Sequence, residues 1–166
     1  NHIRRQRHMP QEMSFMRSVS ITARCTMRYR EEKLKDAGIS GVQFNYILYI
    51  CHHPGVAQDE LARLLYVNKS NVTRQLSSLE QGGYIRREQD EKDKRALLVY
   101  PTDRAEALLP RLRAVQTEWN GILTGDLTAD EIECLTKLMS RVRQKATECI
   151  DGEWRNGAQE GQEGLP

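Results

Sequence analysis

Ala57-Gln58-Asp59-Glu60-Leu61-Ala62-Arg63-Leu64-Leu65, then Tyr66-Val67-Asn68, then Lys69-Ser70-Asn71-Val72-Thr73-Arg74-Gln75-Leu76-Ser77-Ser78-Leu79-Glu80-Gln81, reads as two short helices joined by a tight turn. Gly82-Gly83 stops the second helix. Its apolar residues Val72, Leu76 and Leu79 recur at i, i+4 and i+7, which gives one narrow stripe for burial. The opposite face carries Ser70, Asn71, Thr73, Arg74 and Ser77. These are short hydrogen-bonding groups plus one guanidinium, where an ordinary solvated helix favours Glu and Lys. Such a face suits a helix lying in a DNA major groove. There, small polar side chains let the backbone approach, and Arg or Asn reads base edges.

After Gly83 the pattern changes to period two. Tyr84-Ile85-Arg86-Arg87-Glu88 and Ala96-Leu97-Leu98-Val99-Tyr100 flank a polar turn, Gln89 to Arg95, and predict a hairpin with a long charged tip. The tip interleaves Lys92, Lys94 and Arg95 with Asp90, Glu91 and Asp93. It reads either as a solvated loop or as a wing that reaches DNA; its place beside a helix-turn-helix favours the wing.

Helices are expected on both sides. Phe15, Val19, Ala23 and Met27 recur every four residues in a first helix from about Glu12 to Lys35, a stripe for the core or for a partner. Ser40-Gly41-Val42-Gln43 has the form of a capping box and opens a helix to about Cys51. That helix is apolar on two faces, through Phe44, Ile47, Leu48 and Cys51 and through Tyr46, Tyr49 and Ile50. Pro101 and Thr102 start a long helix to about Leu123, with a kink or second start expected at Pro110. Thr128-Ala129-Asp130-Glu131 is a second capping box, before a last helix bearing Ile132, Leu135, Leu138, Met139, Val142, Ala146 and Ile150.

The chain has 166 residues, of which 29% are charged and 39% hydrophobic, a profile for one globular domain of moderate size. No apolar run approaches the roughly 20 residues of a membrane helix, and no secretory signal is visible, so a cytoplasmic location is expected. The net charge of +2 decides nothing by itself. Its distribution is uneven: residues 1–35 hold nine Lys/Arg against three Glu, whereas the Gly- and Gln-rich stretch 151–166 is acidic. Residues 1–11 read as an appended remnant or a disordered arm, and 151–166 as a disordered tail. Cys25, Cys51, Cys134 and Cys149 form no C-x-x-C pair, so no zinc ribbon is expected. There is no Gly-rich phosphate loop, spaced metal-ligand set or nucleophile motif, so an enzyme is not expected, nor a cofactor or metal.

At this point the residues resemble the MarR family of winged helix-turn-helix regulators, over about Ser14 to Ile150. Leu61-Ala62-Arg63-Leu64-Leu65 through Asn71-Val72-Thr73-Arg74-Gln75-Leu76-Ser77-Ser78-Leu79-Glu80 is similar to the family's T-V-T-R-x-x-x-x-L-E helix. Gly82-Gly83-Tyr84-Ile85-Arg86-Arg87 is similar to its G-L-I-x-R, and Asp93-Lys94-Arg95 with Leu97-Leu98-Val99-Tyr100-Pro101-Thr102 to its D-x-R-x-x-x-V-x-L-T wing. Three pieces in register with the right gaps make the likeness specific. Three positions depart from the pattern: Ala105 stands where Gly is usual, Tyr66 in a turn that often uses Gly, and Asn71 where Thr is common.

The resemblance implies a mainly α fold with a small β-hairpin wing, a winged helix-turn-helix plus a helical dimerisation region. Residues 12–150 would form one domain, with 40–101 as the winged helix-turn-helix and 12–39 and 102–150 as dimerisation helices. It implies a homodimer on a pseudo-palindromic double-stranded operator, most often repressing transcription. The expected DNA contacts are Lys69, Ser70, Asn71, Thr73, Arg74 and Ser77 on the helix and Lys92, Asp93, Lys94 and Arg95 on the wing. Arg95 would enter the minor groove, with Asp93 orienting it by a charge-assisted hydrogen bond.

Many relatives release DNA on binding a small aromatic anion or on cysteine oxidation. Tyr46, Tyr49, His52 and Trp119 are candidates for lining an effector pocket, with plain core packing as the alternative. Cys25, flanked by Arg24 and Arg28, is the redox candidate. In the redox-sensing branch, however, the sensing cysteine lies nearer the start of the first helix, where this chain has Met16 and Arg17. A winged helix that binds protein rather than DNA is the remaining alternative. It predicts an apolar or acidic recognition face.

Overall fold

The computed structural model describes residues 14–160, with side chains described as far as residue 152. The reading of residues 1–11 and of the end of the tail therefore falls outside the described residues. The chain divides between Trp119 and Asn120 into two compact units.

The first unit begins with helix α1 (Phe15–Lys33), whose first turn is capped by Ser14: its Oγ accepts the Arg17 N–H at 3.2 Å. No residue of α1 is buried; of the predicted stripe Phe15 is 51% exposed and Ala23 exposed, while Val19 and Met27 are half-buried. Leu34, just past the helix, is fully buried. A 3-10 turn (Lys35–Ala37) follows, held by Arg111 from α5 (Asp103–Thr124): Nη1 donates to Asp36 Oδ2 at 2.8 Å and Nη2 to Asp36 Oδ1 at 2.5 Å. The next loop passes against α1 at Gly41, where an added Cβ would stand 2.2 Å from the Met27 carbonyl oxygen. Only glycine permits that approach.

The capping box before α2 (Gln43–His52) is closed in both directions. Ser40 N–H donates to Gln43 Oε1 at 3.0 Å, and Gln43 N–H to Ser40 Oγ at 3.2 Å. Helices α3 (Gln58–Leu64) and α4 (Lys69–Gln81) form the helix-turn-helix. Tyr66, in the turn, has φ of 53°. It thus takes the left-handed conformation that glycine commonly supplies, at some cost in backbone strain. Asn68 ends the turn as N-cap of α4, its Oδ1 accepting the Asn71 N–H at 2.7 Å. At the other end Gly83 has φ of 72°. Tyr84 N–H bonds Leu79 O and Gly83 N–H bonds Glu80 O, both at 2.9 Å, a Schellman stop that explains Gly83.

The wing is a three-stranded antiparallel sheet of β1 (Val56–Ala57), β3 (Leu97–Pro101) and β2 (Ile85–Gln89), in that spatial order. The hairpin was expected. β1 was not: two residues are too short for any periodicity, and they pair with Val99 and Leu98 some forty residues away. The core of this unit gathers Phe44, Ile47 and Ile50 of α2, Leu61 of α3, Val72, Leu76 and Leu79 of α4, Val99 of β3, and Ala105, Leu112 and Val115 of α5. Each large apolar side chain fully withdrawn from water adds roughly 1.5–3 kcal/mol of gross stabilisation, so burial of its stripe fixes which face of α4 is left outward. Of the kink or second start expected at Pro110, the second start is absent: α5 runs through it as one helix.

The second unit contains the end of α5 and helix α6 (Ala129–Glu160). Thr128 caps α6 through the predicted box, with Thr128 N–H to Glu131 Oε2 at 2.8 Å and Glu131 N–H to Thr128 Oγ1 at 3.3 Å. α6 continues ten residues beyond the boundary expected at Ile150; no proline follows Pro110 until Pro166. Leu135, Leu138, Met139, Val142 and Ile150 are all exposed.

Candidate nucleic-acid interface

Burial of Val72, Leu76 and Leu79 rotates α4 so that Lys69, Ser70, Thr73 and Arg74 are exposed, while Asn71 and Ser77 are half-buried. The short polar groups on this face are largely tied in place. Ser70 Oγ donates to Asn68 Oδ1 at 2.9 Å. Asn71 Oδ1 accepts from the buried Tyr46 hydroxyl at 2.9 Å. Thr73 Oγ1 donates to Lys69 O at 3.1 Å and accepts from Gln58 Nε2 at 3.3 Å. Lys69 Nζ lies 3.0 Å from Asp59 Oδ2 in an exposed pair that is worth little in water.

A second group of residues, whose pairing the sequence does not show, holds this helix to the wing. Arg87 on β2 donates from Nε and Nη2 to Glu80 Oε2 at 3.1 and 2.5 Å, and its backbone N–H reaches Glu80 Oε1 at 3.2 Å. Arg87 Nη1 also donates to Gln58 Oε1 at 3.3 Å, so one guanidinium links β2, α3 and α4. These bonds hold the Glu80 carboxyl below the usual carboxylate range. The Leu-Glu ending of the α4 motif carried the signal for Glu80, but nothing local pairs it with Arg87.

The wing tip between β2 and β3 is exposed at Lys92, Asp93, Lys94 and Arg95. Two aspartates shape it from within: Asp90 Oδ1 accepts the Lys92 N–H at 2.9 Å, and Asp93 Oδ1 accepts the Arg95 N–H at 3.0 Å. The expected bond from Asp93 to Arg95 is therefore made to the backbone rather than to the guanidinium. An Asp two residues before a turn N–H closes a local ring without needing a long side chain to be ordered.

The four pocket candidates have different neighbours. Tyr46 points to Asn71. Tyr49 lies tilted against His53, with centroids 4.4 Å apart, and of the four it alone lines the cleft formed with His53, Gly55, Val56, Glu60 and Leu64. His52 Nδ1 lies 2.6 Å from Leu48 O, leaving Nε2 facing Arg113 Nη2 at 3.3 Å. Trp119 stacks on Tyr29 at 4.4 Å, and its Nε1 donates to Thr26 Oγ1 at 2.8 Å. Residue type groups these four in sequence, but periodicity does not fix the directions in which they point. Cys25 is exposed and free. The Cys51 thiol, by contrast, is pushed up to about 11, chiefly by burial and then by Glu106.

A family profile described as "MarR family" matches residues 37–96, from the loop before α2 to the wing tip. The HTH-type transcriptional regulator YybA of Bacillus subtilis (strain 168) is 26% identical over 139 residues, covering 84% of this chain and 90% of that protein. The crystal structure of a MarR superposes with a TM-score of 0.80 at 31% identity, over 89% of this chain and 99% of that one. A MarR family regulator from Listeria monocytogenes, solved in complex with 26mer DNA, superposes with a TM-score of 0.76 at 24% identity, covering 82% of this chain and 91% of its own. No described helix is long and apolar enough to cross a membrane.

Proposed function

This chain belongs to the MarR family and is a helix-turn-helix transcriptional regulator, and from that premise we propose that it acts in the cytoplasm as a homodimeric repressor of a pseudo-palindromic operator. The observation that carries the reading is the outward face of α4, where exposed Ser70, Thr73 and Arg74 surround the half-buried Asn71. It is neither apolar nor acidic, so it favours a polynucleotide over a protein partner. On this reading Arg74 contacts a guanine edge or a phosphate, Ser70, Asn71, Thr73 and Ser77 supply short hydrogen-bonding contacts, and Lys69, Lys92 and Lys94 meet phosphates. Arg95 enters the minor groove from a tip held by Asp93. That the Listeria relative was solved on DNA supports this use of the fold.

The dimer rests on uncovered apolar surface. Among the described residues, the exposed large hydrophobics lie in α1, the end of α5, the following loop and α6, apart from Val42 and Tyr66. Surfaces of that kind mark an interface, and a two-fold pair would set two α4 helices about 34 Å apart. Release by a small aromatic effector completes the proposal, with Tyr49 and its cleft as the place to look.

A gel-shift at two salt concentrations tests the core of this reading. Retardation of one selected sequence, weakening steeply with salt and exceeding that of random DNA, is the expected result. Equal retardation of every sequence, or none at low salt, would refute it.

A further inference from the structure

We propose that Tyr46, acting from beneath α4, sets which base edge Asn71 can read. The proposal rests on the DNA-binding reading above and adds a residue on α2 that faces the core rather than the groove. Tyr46 is 2% exposed, and its hydroxyl donates to Asn71 Oδ1 at 2.9 Å. Asn71 lies in the first turn of α4, where a recognition helix meets base edges.

A side-chain amide carries its oxygen and nitrogen on opposite arms. With the oxygen held inward by Tyr46, the NH2 group is the arm turned away from the core. Free asparagine reads adenine in a bidentate manner, accepting from N6 and donating to N7. With its oxygen turned inward, pinned asparagine presents its donors to the groove. It therefore selects an edge of acceptors, guanine O6 and N7 or thymine O4. Burial raises the phenol pKa above its ordinary value, the nearby Arg74 charge opposing this, and the hydroxyl stays a donor at neutral pH. The Asn71 backbone N–H is meanwhile taken by Asn68, which fixes the turn that carries the amide. Tyr46 is thus a positioning residue: it acts on the base through Asn71.

The test selects binding sites from a randomised DNA pool with the full chain, its Tyr46→Phe and Asn71→Ala variants, and the double variant. Asn71→Ala should erase the preference at one position of each half-site. At that position Tyr46→Phe should raise adenine relative to guanine or thymine about fivefold, the factor that one net neutral hydrogen bond carries. Other positions should not move, and the double variant should match Asn71→Ala. An unchanged preference in Tyr46→Phe, or a loosening of all positions together, would overturn the proposal. Should the parent chain select no motif, the DNA-binding reading itself fails. If circular dichroism shows Tyr46→Phe unfolded, Asn71→Asp carries the test: it keeps an acceptor for the phenol but has no donor, so its preference must move toward the cytosine N4 amine. Retained guanine or thymine there would also overturn the proposal.

Discussion

Arg87 joins β2 to α4, and its removal should be felt as a loss of coupling between them. Its side chain is 19% exposed and that of its partner Glu80 38% exposed. A charge-assisted bond contributes about 1.5–3 kcal/mol where water is excluded. Here water reaches the carboxylate once the guanidinium leaves, so two such bonds should give a net coupling of about 1–2 kcal/mol. A double-mutant cycle of Glu80→Ala, Arg87→Ala and the pair, followed by urea unfolding, reads this directly. The pH dependence has a defined sign. Arg87 holds the Glu80 carboxyl below its ordinary range, first through side-chain hydrogen bonds. A depressed folded-state pKa gives stability that is complete above the unfolded value of about 4.3 and is lost as pH falls through the folded one. The coupling should therefore be flat from pH 7 to about 5 and shrink below about 4. A coupling under about 0.3 kcal/mol at pH 7, or one that persists undiminished in acid, would refute this account of how the wing is held.

Arg74→Ala should cost roughly 1–3 kcal/mol of operator binding, read by titration, with the melting temperature unchanged because the side chain is exposed. Asp93→Asn keeps the acceptor for the Arg95 N–H and removes a negative charge, so it should bind DNA as well as or better than the parent; Asp93→Ala frees the tip and should bind more weakly. Tighter binding by both variants would show that charge alone matters at the tip. Leu138→Glu on the exposed face of α6 should convert a species of about twice 19.2 kDa in light scattering into one near 19.2 kDa and abolish tight operator binding. Leu76→Ala, at a fully buried position, should lower unfolding free energy by about 2–5 kcal/mol.

What the sequence disclosed was what local rules govern. The face of α4 followed from Val72, Leu76 and Leu79, and its end from Gly82-Gly83, because a Schellman stop needs only neighbours in sequence. Both capping boxes closed as written for the same reason. What it left open has the opposite cause. β1 is two residues whose identity as a strand depends on β3, far along the chain. The Arg87 network needs three elements to meet before it exists. Residue type groups Tyr46 with Tyr49, His52 and Trp119, yet α2 turns Tyr46 toward Asn71 and Tyr49 toward His53. Side-chain direction at that level is set by packing, which no single-sequence periodicity contains.

The polar face of α4 also bears on how such a surface would recognise DNA. Ordering a side chain on binding costs about 0.5–1.5 kcal/mol for a rotamer-rich group. Ser70, Asn71 and Thr73 already have their rotamers set by Asn68, Tyr46, Lys69 and Gln58. Little of that cost then remains for the short groups, and it falls mainly on Arg74 and the wing cations. Those long side chains would supply the salt-dependent part of the affinity. The tethered residues would supply discrimination, since a rigid donor facing the wrong edge is left unsatisfied rather than rotating away. Substitutions in the tethering residues Asn68, Tyr46 and Gln58 should therefore broaden the range of sequences bound more than they weaken binding. Substitutions at Lys92 or Lys94 should do the reverse. A selection experiment that measures affinity and sequence preference together separates the two sets, and a uniform loss of both across all five positions would show that the division of labour does not exist.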